Sequence, residues 1–121
     1  GKTLVSGAIL RFEGQIATFK SHMGEDYPCY RCLYREPPPA GMVPSCSEGG
    51  VLGALAGTVG SMQATEVLKE IMGIGTGLSG NLMLYDALET EFRKISLKRD
   101  SDCPLCGDHP TISDLSIHVP A

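Results

Sequence analysis

Two Cys-x-x-Cys steps, Cys29-Tyr30-Arg31-Cys32 and Cys103-Pro104-Leu105-Cys106, constrain this chain more than any other feature. A two-residue gap lets both thiolates of one turn reach a single tetrahedral ion, and two such steps complete its coordination sphere. Seventy residues separate Cys32 from Cys103, so a shared ion ties the middle of the chain to its end. Closing a loop of that length costs about 4 kcal/mol of chain entropy. Structural zinc binding in small peptides is worth about 10–16 kcal/mol, which exceeds that cost. The alternatives are two disulfides or a redox pair of the thioredoxin type, and a single iron could occupy the same four sulfurs. Zinc is the expectation, because a closed, redox-silent staple suits an intracellular domain.

Cys46 is left over. It lies in Val43-Pro44-Ser45-Cys46-Ser47-Glu48-Gly49-Gly50, between a proline-rich stretch and the start of the long helix, where helix amides would favour a thiolate and Glu48 would oppose it. Its position alone argues for an idle loop cysteine. His22, His109 and His118 show no diagnostic spacing to it that would suggest a Cys-His pair. Asp86, Glu89, Glu91, Asp100 and Asp102 fall at strand ends and turns, where acidic side chains are usually just solvated. Gly73-Ile74-Gly75-Thr76-Gly77 lacks the lysine of a phosphate loop and follows a helix rather than a strand.

A chain of 121 residues is the size of one domain. Its formal net charge of −4 lacks the basic footprint of a nucleic-acid binder. The longest apolar stretch, Val51 to Met62, is too short and too soon followed by charge to span a bilayer. No nucleic acid and no membrane are therefore expected as partners. The opening Gly1-Lys2-Thr3-Leu4-Val5 is neither a signal peptide nor an evident natural start, so the chain is read as beginning mid-protein.

Thr3–Ile9 and Gln15–Phe19 are β-branched, apolar runs, and the spacing predicts a hairpin turned at Arg11-Phe12-Glu13-Gly14, with Gly14 supplying the positive φ. From Ser21 to Pro44 periodicity vanishes among prolines and glycines, which predicts a long loop pinned by something such as a metal. Val51–Met72 is the clearest helix, with Val51, Leu55, Val59 and Met62 on one stripe, Leu68 and Ile71 extending it, and Gly73 at the C-terminal cap. Gly53, Gly57, Gly60 and Ala64 form a small-residue stripe that suits a closely packed backbone. Asn81–Tyr85 and Phe92–Leu97 predict a second hairpin, and Gly107–Ala121 reads as a polar tether.

Taken in order, Cys-Tyr-Arg-Cys-Leu-Tyr at 29–34, Pro-Ser-Cys-Ser-Glu-Gly-Gly-Val-Leu-Gly at 44–53, Gln-Ala-Thr-Glu at 63–66, Leu-Tyr-Asp-Ala-Leu at 84–88 and Cys-Pro-Leu-Cys-Gly at 103–107 resemble the C-terminal half of the ThiF/MoeB/HesA family, the E1-like adenylyltransferases. Ser6-Gly7-Ala8-Ile9 and Phe12-Glu13-Gly14-Gln15 are similar to that family's strand pair after the nucleotide-binding half. The resemblance implies an α/β fold, the second half of a Rossmann-like E1 adenylation domain, with mixed, largely antiparallel strands, one long helix and a zinc-stapled loop. It implies that residues 1–107 are the C-terminal part of that domain, with a crossover loop at about 33–50, and that residues 108–121 are a tail or linker.

It further implies a cytoplasmic enzyme that uses ATP and Mg2+ to adenylate the C-terminal glycine of a ubiquitin-like sulfur-carrier protein ending in Gly-Gly. The pathway would be molybdopterin, thiamin, cysteine or tRNA thiolation. Cys29, Cys32, Cys103 and Cys106 match the family's structural zinc ligands, and Cys46 matches its crossover-loop cysteine, the acyl acceptor in some members. Acyl transfer to a thiol splits one hard step into two. The family's ATP-binding loop has no counterpart here, so the N-terminal half of the same enzyme is an implied partner and this chain alone is expected to be inactive. A homodimer and a downstream rhodanese domain are implied too. Without the resemblance, the residues describe a non-enzymatic, zinc-stapled protein-interaction module.

Overall fold

The structure is a computed structural model, and it describes residues 1–118. Four strands, β1 (Leu4–Leu10), β2 (Glu13–Phe19), β3 (Asn81–Asp86) and β4 (Glu91–Ser96), form one sheet in the order β1-β2-β3-β4. Every ladder is antiparallel, and the parallel component is confined to the isolated bridges Arg11↔Val51 and Thr18↔Ser79. Between β2 and β3 the chain makes two single-turn helices, α1 (Tyr30–Leu33) and α2 (Cys46–Gly49), and then the long helix α3 (Gly53–Met72).

Alternation along β2 sorts the sheet into two faces. Gly14, Ile16 and Thr18 face α3, where Ile16, Leu55, Val59 and Leu78 make the fully buried cluster and Ile9, Met62, Met83 and Tyr85 pack around it. Gly14 is there for space, since a Cβ on it would lie 2.6 Å from Val59 Cγ2. The positive φ of the first hairpin belongs instead to Arg11, at 55°. That residue is also a junction: its N–H donates to Gly50 O at 3.0 Å and its carbonyl accepts from Leu52 N at 2.9 Å. These two bonds draw Val51 into a bridge with Arg11, which delays the start of α3 to Gly53 and places Val51 outside the helix.

Gly73 ends α3 in the left-handed region at φ 64°, as the C-terminal cap requires. The small-residue stripe behaves otherwise. Apart from α3's own backbone, no described residue comes within 4 Å of a Cβ built at Gly53, Gly57 or Gly60, and Leu68 and Ile71 are exposed, so this side of α3 packs on no other element among the described residues. The tail departs from a simple tether: Thr111 and Ile112 donate to Pro104 O at 2.8 and 2.9 Å, and a 3₁₀ turn, Ser116–His118, returns to α1. Residues 119–121 of the expected tail lie outside the described residues.

Candidate metal centre and crossover loop

Cys29 is the N-cap of α1, and Cys32 is its third residue, so one helical turn sets both sulfurs on the same side. The second step is a pair of tight turns after β4, in which Cys103 N donates to Asp100 O at 3.0 Å and Gly107 N to Cys103 O at 3.0 Å. The four sulfurs, Cys29, Cys32, Cys103 and Cys106, lie within 4.8 Å of one another. Individual Sγ–Sγ distances are 3.6 Å for Cys29–Cys103, 3.8 Å for Cys29–Cys32 and 3.4 Å for Cys32–Cys106.

Those lengths argue against the disulfides that the spacing left open. A disulfide needs sulfurs about 2.05 Å apart, and all five cysteines are free. A tetrahedron with metal–sulfur bonds of about 2.3 Å has edges of about 3.8 Å. The cluster therefore fits one four-coordinate metal ion.

Backbone amides complete the donor set. Cys32 Sγ accepts from Cys29 N and Asp100 N, both at 3.4 Å, and Cys103 Sγ accepts from Leu105 N and Cys106 N, both at 3.5 Å. Each such bond favours the thiolate that a metal requires. At Cys103 burial pushes the thiol up, but the amides of Cys106 and Leu105 together with the thiols of Cys29 and Cys106 bring the net shift downward. At Cys29 burial, then the thiols of Cys106 and Cys103, drive the pKa well above its ordinary value, and Cys106 is raised by burial and by Cys32. Buried thiols so close together resist losing their protons unless a cation shares the site.

Several supporting residues escaped the sequence reading. Arg35 donates to Asp100 Oδ2 at 2.6 Å and to Asp102 O at 3.0 Å, which binds the start of the loop to the second step. Arg99 donates to Cys106 O at 2.7 Å. A Cβ on Gly107 would strike the Cys103 carbonyl oxygen and lie 2.6 Å from Ser101 O and 2.7 Å from Cys103 N. The available signal was proximity: Gly107 adjoins Cys106, and Arg35 and Arg99 lie three and four residues from Cys32 and Cys103. Of the acidic residues considered earlier, Asp86 caps its own turn, accepting from Leu88 N and Glu89 N at 3.0 and 3.2 Å, and Asp100 pairs with Arg35.

Cys46 is apart from this cluster and exposed. It opens the separate helix α2, not the long helix, with Ser45 as its N-cap. Glu48 turns back to accept from Ser45 N at 3.0 Å, and Gly50, at φ 76°, ends the turn. The thiol thus stands on a small, capped turn that Arg11 holds through Gly50.

The chain is 55% identical over 117 residues to the sulfur carrier protein adenylyltransferase of Thermus thermophilus, a match covering 95% of this chain and 43% of that protein. It is 52% identical over 116 residues to the adenylyltransferase and sulfurtransferase MOCS3 of Bos taurus, covering 95% of this chain and 25% of that one. The chain thus spans a quarter to less than half the length of these relatives. Among solved structures, Escherichia coli MccB superposes with a TM-score of 0.66 over 93% of this chain and 34% of its own, at 12% identity, which supports the fold alone. Residues 1–105 match the ThiF family, and the chain belongs to it.

Proposed function

We propose that this chain is the carrier-docking and metal-stapled part of an enzyme that adenylates the C-terminal glycine of a ubiquitin-like sulfur-carrier protein. The observation that carries the reading is the 55% identity, across 95% of the chain, to a sulfur carrier protein adenylyltransferase. In the first step a carboxylate oxygen of the carrier's terminal glycine attacks the α-phosphorus of ATP and pyrophosphate leaves. Mg2+ supplies charge neutralisation on the phosphates, and both are held mainly by the N-terminal half of the enzyme. Zinc on Cys29, Cys32, Cys103 and Cys106 is structural and takes no part in the chemistry.

Cys46 is proposed as the acyl acceptor. Its sulfur attacks the carbonyl carbon of the acyl-adenylate, AMP departs with the electron pair of the broken C–O bond, and the thiol proton passes to solvent. Its exposure on a capped turn within the loop at about 33–50 supports this role. Five free cysteines, four of them grouped as metal ligands, suit a reducing cytoplasm. The open side of α3 suits the N-terminal half or a second subunit of a homodimer, and a rhodanese domain downstream would supply sulfur for molybdopterin, thiamin, cysteine or tRNA thiolation.

The test is ATP–pyrophosphate exchange with a Gly-Gly-ended carrier, using the full-length polypeptide and its Cys46→Ala variant. Exchange dependent on the carrier, retained in Cys46→Ala while sulfur transfer is lost, is the expected result. Absence of carrier-dependent exchange would refute the adenylation reading, and unchanged sulfur transfer would remove Cys46 from the mechanism.

A further inference from the structure

Beside α1, on the sheet face turned away from α3, lies a cavity of about 630 Å³, a size that suits a small molecule. Phe19, Leu82, Leu33, Pro37 and Val43 give it apolar walls, and Arg31 and His118 are its basic side chains. Arg31 is only 9% exposed. Its Nη1 donates to Tyr34 O at 2.9 Å and its Nη2 meets His118 Nε2 at 3.1 Å. A guanidinium can only donate, so Nε2 is the acceptor and the imidazole in this contact is neutral.

A buried cation is ordinarily matched by a carboxylate. None of the ion pairs among the described residues includes Arg31. Four thiolates on a divalent ion leave the nearby metal site negative, yet Arg31's hydrogen bonds reach a carbonyl and an imidazole, not a sulfur. Glu13 and Glu36, which also line the cavity, are solvent-exposed, where water and salt screen them. The neutral His118 comes from the tail, whose near end is fixed separately by the Thr111 and Ile112 bonds to Pro104. The segment beyond can therefore lift without disturbing the metal site.

We propose that this cavity binds a small carboxylate with an apolar body, whose carboxylate takes the place of His118 on Arg31. The tail is the resident competitor, holding the guanidinium with a weaker, uncharged acceptor until the ligand arrives. A charge-assisted hydrogen bond at Nη2 is stronger than the neutral one it replaces. The probes are octanoate and its uncharged isostere octanamide, titrated calorimetrically into the full-length, zinc-loaded polypeptide.

Octanoate is expected to bind more tightly than octanamide, and His118→Ala is expected to tighten octanoate about tenfold by removing the competitor. Arg31→Gln is expected to weaken octanoate about tenfold and leave octanamide unchanged. Equal binding of the two probes by the parent protein, or octanoate affinity unchanged in His118→Ala, would overturn the proposal. Should Arg31→Gln lose its zinc, the exposed His118→Ala variant decides the matter alone.

Discussion

The four-cysteine cluster and the loop that runs from its first step to α3 adjoin one another and are opposites in construction. At the steps, two of the sulfurs each accept two backbone amides, Cys29 and Cys103 are buried, and glycine at 107 is enforced by three surrounding backbone atoms. From Pro37 to Ser45 the chain is exposed almost throughout, Met42 at 68%, and is held locally by bonds such as Met42 N to Pro39 O at 3.1 Å. One region spends cysteines on immobility, and the other presents a cysteine on a short turn. The difference suits the proposed roles: a closed tetrahedron of sulfurs is built to hold a metal, and an accessible thiol apart from it suits the acyl acceptor proposed at Cys46.

The harshest way to break this contrast is Cys103→Ser. Losing a buried ligand is expected to abolish stoichiometric zinc and to lower stability by more than about 4 kcal/mol, measured by metal analysis and denaturant unfolding. Parent-like unfolding would show that the staple holds nothing.

Acidity should act on one region only. With Cys29 and Cys106 raised, the metal-free site retains protons at neutral pH, so zinc must displace them and its affinity rises with pH. Each displaced proton weakens binding about tenfold per pH unit on acidification, so competition with a chromophoric chelator at pH 6 and pH 8 should find the tighter site at pH 8. A pH-independent affinity would mean that the thiols were already ionised.

A subtler probe is Gly107→Ala, whose Cβ has backbone on three sides. It should cost about 1–3 kcal/mol and weaken zinc, without touching a ligand. The smallest effect belongs to Arg35→Ala, which cuts the tie between the loop and the second step. Its exposed pair with Asp100 is worth less than about 1 kcal/mol, so zinc should stay while limited proteolysis within residues 36–45 speeds up. Zinc loss in this variant would show that the two regions are one.

Much of the fold and of the cysteine group is legible in the sequence. Two hairpins, the long helix, its Gly73 cap and the four-cysteine group follow from periodicity and spacing, signals that persist over many residues or rest on strict chemistry. What escaped was too short or too distant. A four-residue helix such as α1 or α2 shows no repeat of an apolar stripe, and α2's start at Cys46 merged with the start of α3. Gly14 invited a turn reading because glycine permits positive φ, but here it makes room for Val59, and Arg11 takes the strained conformation because Gly50 and Leu52 bond to it. The return of the tail to Arg31 depends on a contact across 87 residues that no local pattern encodes.

One experiment counts both the four thiols proposed to share a metal ion and the fifth that stays free. Native protein treated with a chromogenic disulfide reagent, followed by chelator and denaturant with released zinc measured alongside, should give one fast thiol per chain. Cys46→Ala should remove that fast thiol, and four more should appear together with about one equivalent of zinc. Several fast thiols in the native protein, or four slow thiols released without metal, would contradict this division.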